Sequence, residues 1–225
     1  MNTDPGQSGG RIVAPMSGTE RAGLAQGARP PGVQRAATPG LELFTARDFL
    51  ASDLCAALID LTDAARRPST IADFNGDRSF RTSETGDLPA DHPAVIATDS
   101  AIAALLGLDP AYGEPLQGQR YAIGQEFKAH TDYFEPDGPD YARFCDAWGQ
   151  RTWTAMIYLN APTAGGATRF VKAGKTVHPE AGKLLAWNNR RPDGGVNGET
   201  LHHGMKVRAG VKYVVTKWYR ERPCR

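Results

Sequence analysis

The chain has 225 residues, 40% of them hydrophobic, which is enough for one well-buried domain and short for two. Twenty-six basic and 25 acidic residues leave a formal net charge of +1, so no polyanionic partner is advertised and no nucleic acid is expected. Three scattered cysteines (Cys55, Cys145, Cys224) form no CxxC pair, no apolar run reaches the length of a membrane span, and the start lacks a signal-peptide pattern, so free thiols, no membrane engagement and a cytoplasmic setting are expected.

Residues 1–40 are rich in Gly, Pro, Ala, Ser and Gln and poor in aromatics. They are predicted to form a flexible N-terminal tail, or an arm that orders on a partner. The folded domain is predicted over 41–225, with its core at about 118–220. Thr45 and Asp48 resemble a helix-capping pair. Phe49, Leu54, Leu58, Ile59 and Leu61 then follow at helical spacing, closed by Arg66-Arg67-Pro68. A second helix is predicted over 94–106, stopped by Gly107. Asn75-Gly76-Asp77 and Thr85-Gly86-Asp87 read as turns between the two.

After Gly118 the texture changes to short stretches rich in β-branched and aromatic residues, separated by Gly, Pro, Asn and Asp. They cover 120–123, 127–134, 152–159, 168–171, 184–187 and 211–219. Helices first and strands afterwards predict an α+β, mainly β fold, with a helical layer supporting a sandwich or barrel.

The chemistry concentrates at His130-Thr131-Asp132. Residues i and i+2 of a strand face the same side, so an imidazole and a carboxylate are presented together. His202-His203 supplies a second histidine near the last strand. Two histidines and one carboxylate on one face of an octahedral ion leave three positions open, the arrangement of non-haem Fe(II) oxygenases. In the last stretch, Lys212, Val214, Thr216 and Trp218 share one face and Tyr213, Val215 and Lys217 the other. If the first face is interior, Lys212 needs an anion, which a dicarboxylate would supply. The reverse parity, with Lys217 buried and Lys212 solvated, fits the pattern nearly as well.

From Tyr121 to Trp218 the chain resembles the prolyl 4-hydroxylase family of Fe(II)/2-oxoglutarate oxygenases. The matching pieces are Tyr121-Ala-Ile-Gly124, Phe127-Lys-Ala-His130-Thr-Asp132-Tyr-Phe134 and Tyr158-Leu159-Asn160. They continue with Gly165-Gly166-Ala-Thr168-Arg-Phe170, Pro179-Glu-Ala-Gly182-Lys-Leu-Leu185, Leu201-His202, Val207, Gly210-Val-Lys212 and Trp218. Upstream, Arg81-Thr82-Ser83 looks like a short segment that the family often carries.

The resemblance implies a double-stranded β-helix (jelly-roll, cupin-like) with iron held by His130, Asp132 and His202. It places Tyr121, Thr168 and Lys212 against 2-oxoglutarate and Trp218 on a pocket wall. His202 is chosen over His203 because it sets Lys212 at the family's ten-residue interval. His92 and His178 read as loop histidines. Ala167 and Lys206 depart from the family's acidic residue and proline, and strict parity requires a bulge near Gly124 to aim both Tyr121 and His130 inward.

The implied reaction hydroxylates a C–H bond of a peptidyl proline or related amino-acid substrate. It uses Fe(II), 2-oxoglutarate and O2, with ascorbate as reductant. The stretches 135–150 and 188–199 are candidate lids or substrate walls. Two alternatives are a cupin enzyme that does not use 2-oxoglutarate and a non-catalytic metal- or peptide-binding module.

Overall fold

In chain order, the computed structural model has β1 (Val33–Arg35), β2 (Leu43–Ala46), α1 (Ser52–Ala64), β3 (Arg66–Pro68), β4 (Glu84–Asp87) and α2 (Pro93–Leu106). There follow β5 (Gln117–Tyr121), β6 (Phe127–His130), α3 (Tyr141–Cys145), β7 (Arg151–Tyr158), β8 (Ala164–Gly165), β9 (Thr168–Phe170) and β10 (Lys175–Val177). The last elements are β11 (Leu184–Asn188), β12 (His202–Gly204), β13 (Val207–Ala209) and β14 (Lys212–Arg220). The structure describes residues 23–69 and 80–224.

Eight strands form a major sheet in the order β1-β2-β11-β7-β14-β5-β4-β3, and β10-β9-β12-β6 form a minor one. Every pairing in both is antiparallel. This is the double-stranded β-helix, and its interior holds Tyr121, Met156, Tyr158, Phe170, Leu185, Trp187 and Val214. The major sheet's other face packs Ile157, Leu184, Val215 and Tyr219 against Leu58 of α1 and Ile102 and Leu106 of α2. Adjacent Val214 and Val215 therefore enter different cores, as the period of two demands.

The first helix starts later than its sequence pattern suggests. Thr45 lies in β2, opposite Leu185, and Asp48 takes a left-handed φ of 49° in the turn that follows. Helix α1 begins at Ser52 after an Ala51 cap without a side-chain hydrogen bond. The Arg66-Arg67-Pro68 stop is itself strand β3. Thr85-Gly86-Asp87 is no turn but part of β4, and its glycine serves helix packing. A Cβ at Gly86 would press on the Thr62 backbone, and one at Gly118 would collide with the Thr62 side chain. Helix α2 matches its expectation within a residue. His92 is its cap rather than a loop residue, with Nδ1 accepting from the Ala94 N–H at 3.2 Å, and Gly107 closes it at φ 69°.

The boundary at 41 falls too late. Strand β1 pairs with β2, Leu24 and Val33 are buried, and Gln26 Nε2 donates to the Gly107 carbonyl at 2.9 Å. An edge strand needs backbone pairing and one or two apolar anchors, so poor aromatic content did not exclude it. Residues 1–22 and Asn75-Gly76-Asp77 lie outside the described residues.

Nor is a bulge needed at Gly124. Strands β5 and β6 belong to different sheets, so one parity does not run through both. Residues 122–125 form a tight turn with Gly124 at φ 85°. No disulfide joins Cys55, Cys145 and Cys224, and no described helix is long and apolar enough to cross a membrane.

Strand β14 does not choose between its two lysines. Lys212 faces the interior and Lys217 the helices, and both are buried. Lys217 Nζ lies 2.5 Å from Asp99 Oδ1 on α2. Lys217→Ala removes the cation from a buried carboxylate, so a loss of roughly 3–5 kcal/mol in folding stability is expected. Urea denaturation checks this; an unchanged midpoint would show that the pair contributes nothing.

Candidate metal centre and cosubstrate pocket

Strands β6 and β12 pair so that His130 and His202 stand directly opposite, with ring centroids 4.2 Å apart. The ladder ends at His130, and Asp132 follows two residues on. One ligand-capable atom from each of the three residues lies within 4.8 Å of the others. His130 Nε2 is 3.8 Å from Asp132 Oδ1.

Hydrogen bonds orient all three groups. His130 Nδ1 meets the Lys128 carbonyl at 2.7 Å, and His202 Nδ1 meets the Thr200 carbonyl at 2.9 Å. A carbonyl only accepts, so each Nδ1 carries a proton and each Nε2 is the nitrogen left to face a metal. Burial, then the neighbouring His202, pushes the His130 pKa well below its ordinary value. A neutral imidazole is the form that binds metal. His203 points elsewhere, its Nε2 2.9 Å from Glu126.

Tyr121, Thr168, Lys212 and Trp218 line one pocket with the triad. Lys212 is 1% exposed and pairs across the sheet with Tyr121, its Nζ 4.1 Å from that ring's centroid. No carboxylate among the described residues forms an ion pair with it. Burial alone pushes its pKa down to about 7. Tyr158 donates to Thr168 Oγ1 at 2.7 Å, and Tyr121 donates to Gln119 at 2.7 Å. Two imidazoles and a carboxylate suit Fe(II) with open positions. A buried ammonium beyond them suits the far end of a dicarboxylate.

A wider groove of about 890 Å³ opens from the same centre, sharing His130, Asp132, Phe127 and Trp218 with the pocket. Its walls include Tyr133, Phe134, Tyr141, Phe144 and Trp148. The 135–150 stretch thus carries α3 and walls the groove, Phe144 stacking on Phe134 at 4.9 Å.

Arg151 donates to both Glu114 carboxylate oxygens at 2.7 Å and lies 4.0 Å over the Trp218 ring. Arg220 Nε is 2.6 Å from Glu114. Burial pushes the Glu114 carboxyl up, but Arg151 and Arg220 outweigh it and hold it below the ordinary value. Sequence reading missed Glu114, Arg151, Thr154 and Asn189. An arginine opening the apolar run Thr152–Leu159 was the only signal available for any of them.

Residues 116–220 match the model of the 2OG-Fe(II) oxygenase superfamily. The chain is 39% identical over 141 residues to the prolyl 4-hydroxylase subunit alpha-3 of Mus musculus, covering 59% of this chain and 26% of that protein. It is 32% identical over 168 residues to the human subunit alpha-1, covering 72% and 31% respectively. The chain therefore spans less than a third of the length of these curated relatives. Among solved structures it resembles the viral collagen prolyl hydroxylase of Paramecium Bursaria Chlorella virus-1 in its 2OG complex. That likeness has a TM-score of 0.65 and 25% identity, covering 82% of this chain and 99% of the other. A Pseudomonas putida prolyl-4-hydroxylase shares the fold at TM-score 0.52 and 20% identity, over 80% and 92% of the two chains.

Proposed function

We propose, from the premise that residues 116–220 form a domain of the 2OG-Fe(II) oxygenase superfamily, that this chain is an Fe(II)- and 2-oxoglutarate-dependent hydroxylase of peptidyl proline. His130, Asp132 and His202 would hold the iron. Lys212 would pair with the far carboxylate of 2-oxoglutarate, with the Tyr121 and Thr168 hydroxyls beside it. Bound iron, with 2-oxoglutarate and O2, supplies the oxidising power for C–H hydroxylation, the keto acid leaving as succinate and CO2. Ascorbate would serve as reductant. The chain's own part is to bind, orient and exclude water, with Trp218 and Phe127 forming the wall between pocket and groove.

The buried Lys212 ammonium in the same pocket as the triad carries this reading. A cupin enzyme without 2-oxoglutarate, or a peptide-binding module, has no use for it. For the substrate, the aromatic groove suits an extended proline-bearing peptide, whose rings pack on aromatic faces. Three cysteines outside any disulfide support a reducing, cytoplasmic setting.

Aerobic incubation with Fe(II), 2-oxoglutarate and a panel of proline peptides and free amino acids tests the proposal. Succinate release with peptides, matched by a product heavier by one oxygen atom, is expected. Peptide binding without succinate would favour the binding module. Turnover of free amino acids alone would reassign the substrate.

A further inference from the structure

Resting on the metal centre just described, we infer that Thr154 and Asn189 are positioning residues that decide which oxygen of Asp132 faces the metal. Thr154 and Asn189 are both fully buried. Thr154 Oγ1 lies 2.8 Å from Asp132 Oδ2, and Asn189 Nδ2 lies 2.9 Å from Thr154 Oγ1.

The chemistry gives this chain of contacts one direction. A carboxylate ligand only accepts hydrogen bonds, and a threonine hydroxyl has a single hydrogen to give. That hydrogen therefore goes to Asp132. The hydroxyl's lone pairs then face Asn189, which must present its NH2 side. The opposite amide oxygen, Asn189 Oδ1, has no hydrogen-bond partner among the described residues, so the amide's orientation is not set by its own oxygen.

The relay engages Oδ2 and leaves Oδ1, the oxygen beside His130 Nε2, as the donor. A carboxylate offering one oxygen keeps a coordination position open that a chelating carboxylate would fill. That opening is what a two-point cosubstrate and O2 require.

The same loop also braces the distal histidine. Asn197 N donates to the Asn189 carbonyl at 2.9 Å. Thr200 Oγ1 donates to the Asn197 carbonyl at 2.7 Å, and the Thr200 carbonyl receives His202 Nδ1. The 188–199 stretch, expected as a lid or substrate wall, ties the supports of Asp132 and His202 together.

Co(II) titration of the metal-free full chain, followed by its visible absorption without cosubstrate, tests the inference. Thr154→Val is expected to weaken Co(II) binding about 10–100-fold and to change the band shape. Thr154→Ser, which keeps the hydroxyl, should stay near the parent. Asn189→Asp should weaken binding in the parent background and add little to Thr154→Val, since the two act through one bond. Thermal melts of the metal-free forms separate misfolding from lost affinity, and Asn189→Asp carries the test if Thr154→Val does not fold.

Parent-like affinity and spectrum in folded Thr154→Val would overturn the inference. Losses that simply add would remove Asn189 from it. A parent that binds no Co(II), or a His202→Ala variant that binds it equally well, would instead sink the metal centre itself.

Discussion

Lys212→Ala is expected to weaken 2-oxoglutarate binding by about two to three and a half orders of magnitude while leaving Fe(II) binding nearly intact. Removing one partner of a buried ion pair costs roughly 3–5 kcal/mol, because the remaining charge is left desolvated. The side chain is 1% exposed, which places the pair in a low-dielectric setting. Anaerobic titration of the Fe(II) form, read by metal-to-ligand absorption, measures both affinities. Equal 2-oxoglutarate affinity in variant and parent would remove Lys212 from the site and revive the cupin alternative.

The same lysine sets a pH dependence. Burial brings its pKa down to about 7 in the unliganded pocket, and a bound carboxylate raises it again. Below about pH 7 the ammonium is already present and affinity should be flat. Above it, binding must take up a proton, and affinity should fall by up to tenfold per pH unit. For folding, the native state binds fewer protons than the unfolded chain between about 7 and the ordinary lysine value. Unliganded stability therefore gains from this group as pH rises through that window. Calorimetry in buffers of different ionisation enthalpy should show about one proton taken up per cosubstrate at the alkaline end.

His202→Ala is expected to abolish turnover, and His203→Ala to leave measurable activity. The two are adjacent in sequence but opposite in the strand. His202 is buried against Trp187 and Phe170, whereas His203 is 28% exposed in its side chain and meets Glu126. A half-exposed pair of that kind is worth about 1 kcal/mol, and Lys206 lies 3.4 Å from the same carboxylate. Succinate assays on both variants check this. A dead His203→Ala with an active His202→Ala would reverse the assignment.

How much of this could be read beforehand follows from the kind of signal each feature leaves. Strands β7, β9, β11 and β14 were legible because alternation and β-branched residues survive in the chain itself. The triad was legible because its spacing is short on one side and its partner lies at a family interval on the other. Strand β4 was misread because Gly86 marks a close helix approach, which is indistinguishable in sequence from a turn. Strand β1 was missed because an edge strand pairs through its backbone and carries little side-chain pattern. Thr154, Asn189 and Glu114 were invisible for another reason. Each acts through a partner at least 20 residues away, and nothing local distinguishes them from ordinary strand or loop residues.

The two buried lysines of β14 make that strand intolerant of slippage. Lys212 and Lys217 are five positions apart, so they lie on opposite faces. A shift by one residue would turn Lys212 toward the helices, away from the pocket, and draw Lys217 off Asp99 into the barrel. Tyr213 or Val211, depending on the direction of the slip, would replace Lys212 opposite Tyr121. Both ammonium groups would be misplaced at once, and no single compensating change repairs two faces. The strand works as a two-sided key whose teeth are cut for different locks. Length variation can therefore accumulate in the surface connections, while 212–220 must keep its frame for the pocket and the helical layer to survive together.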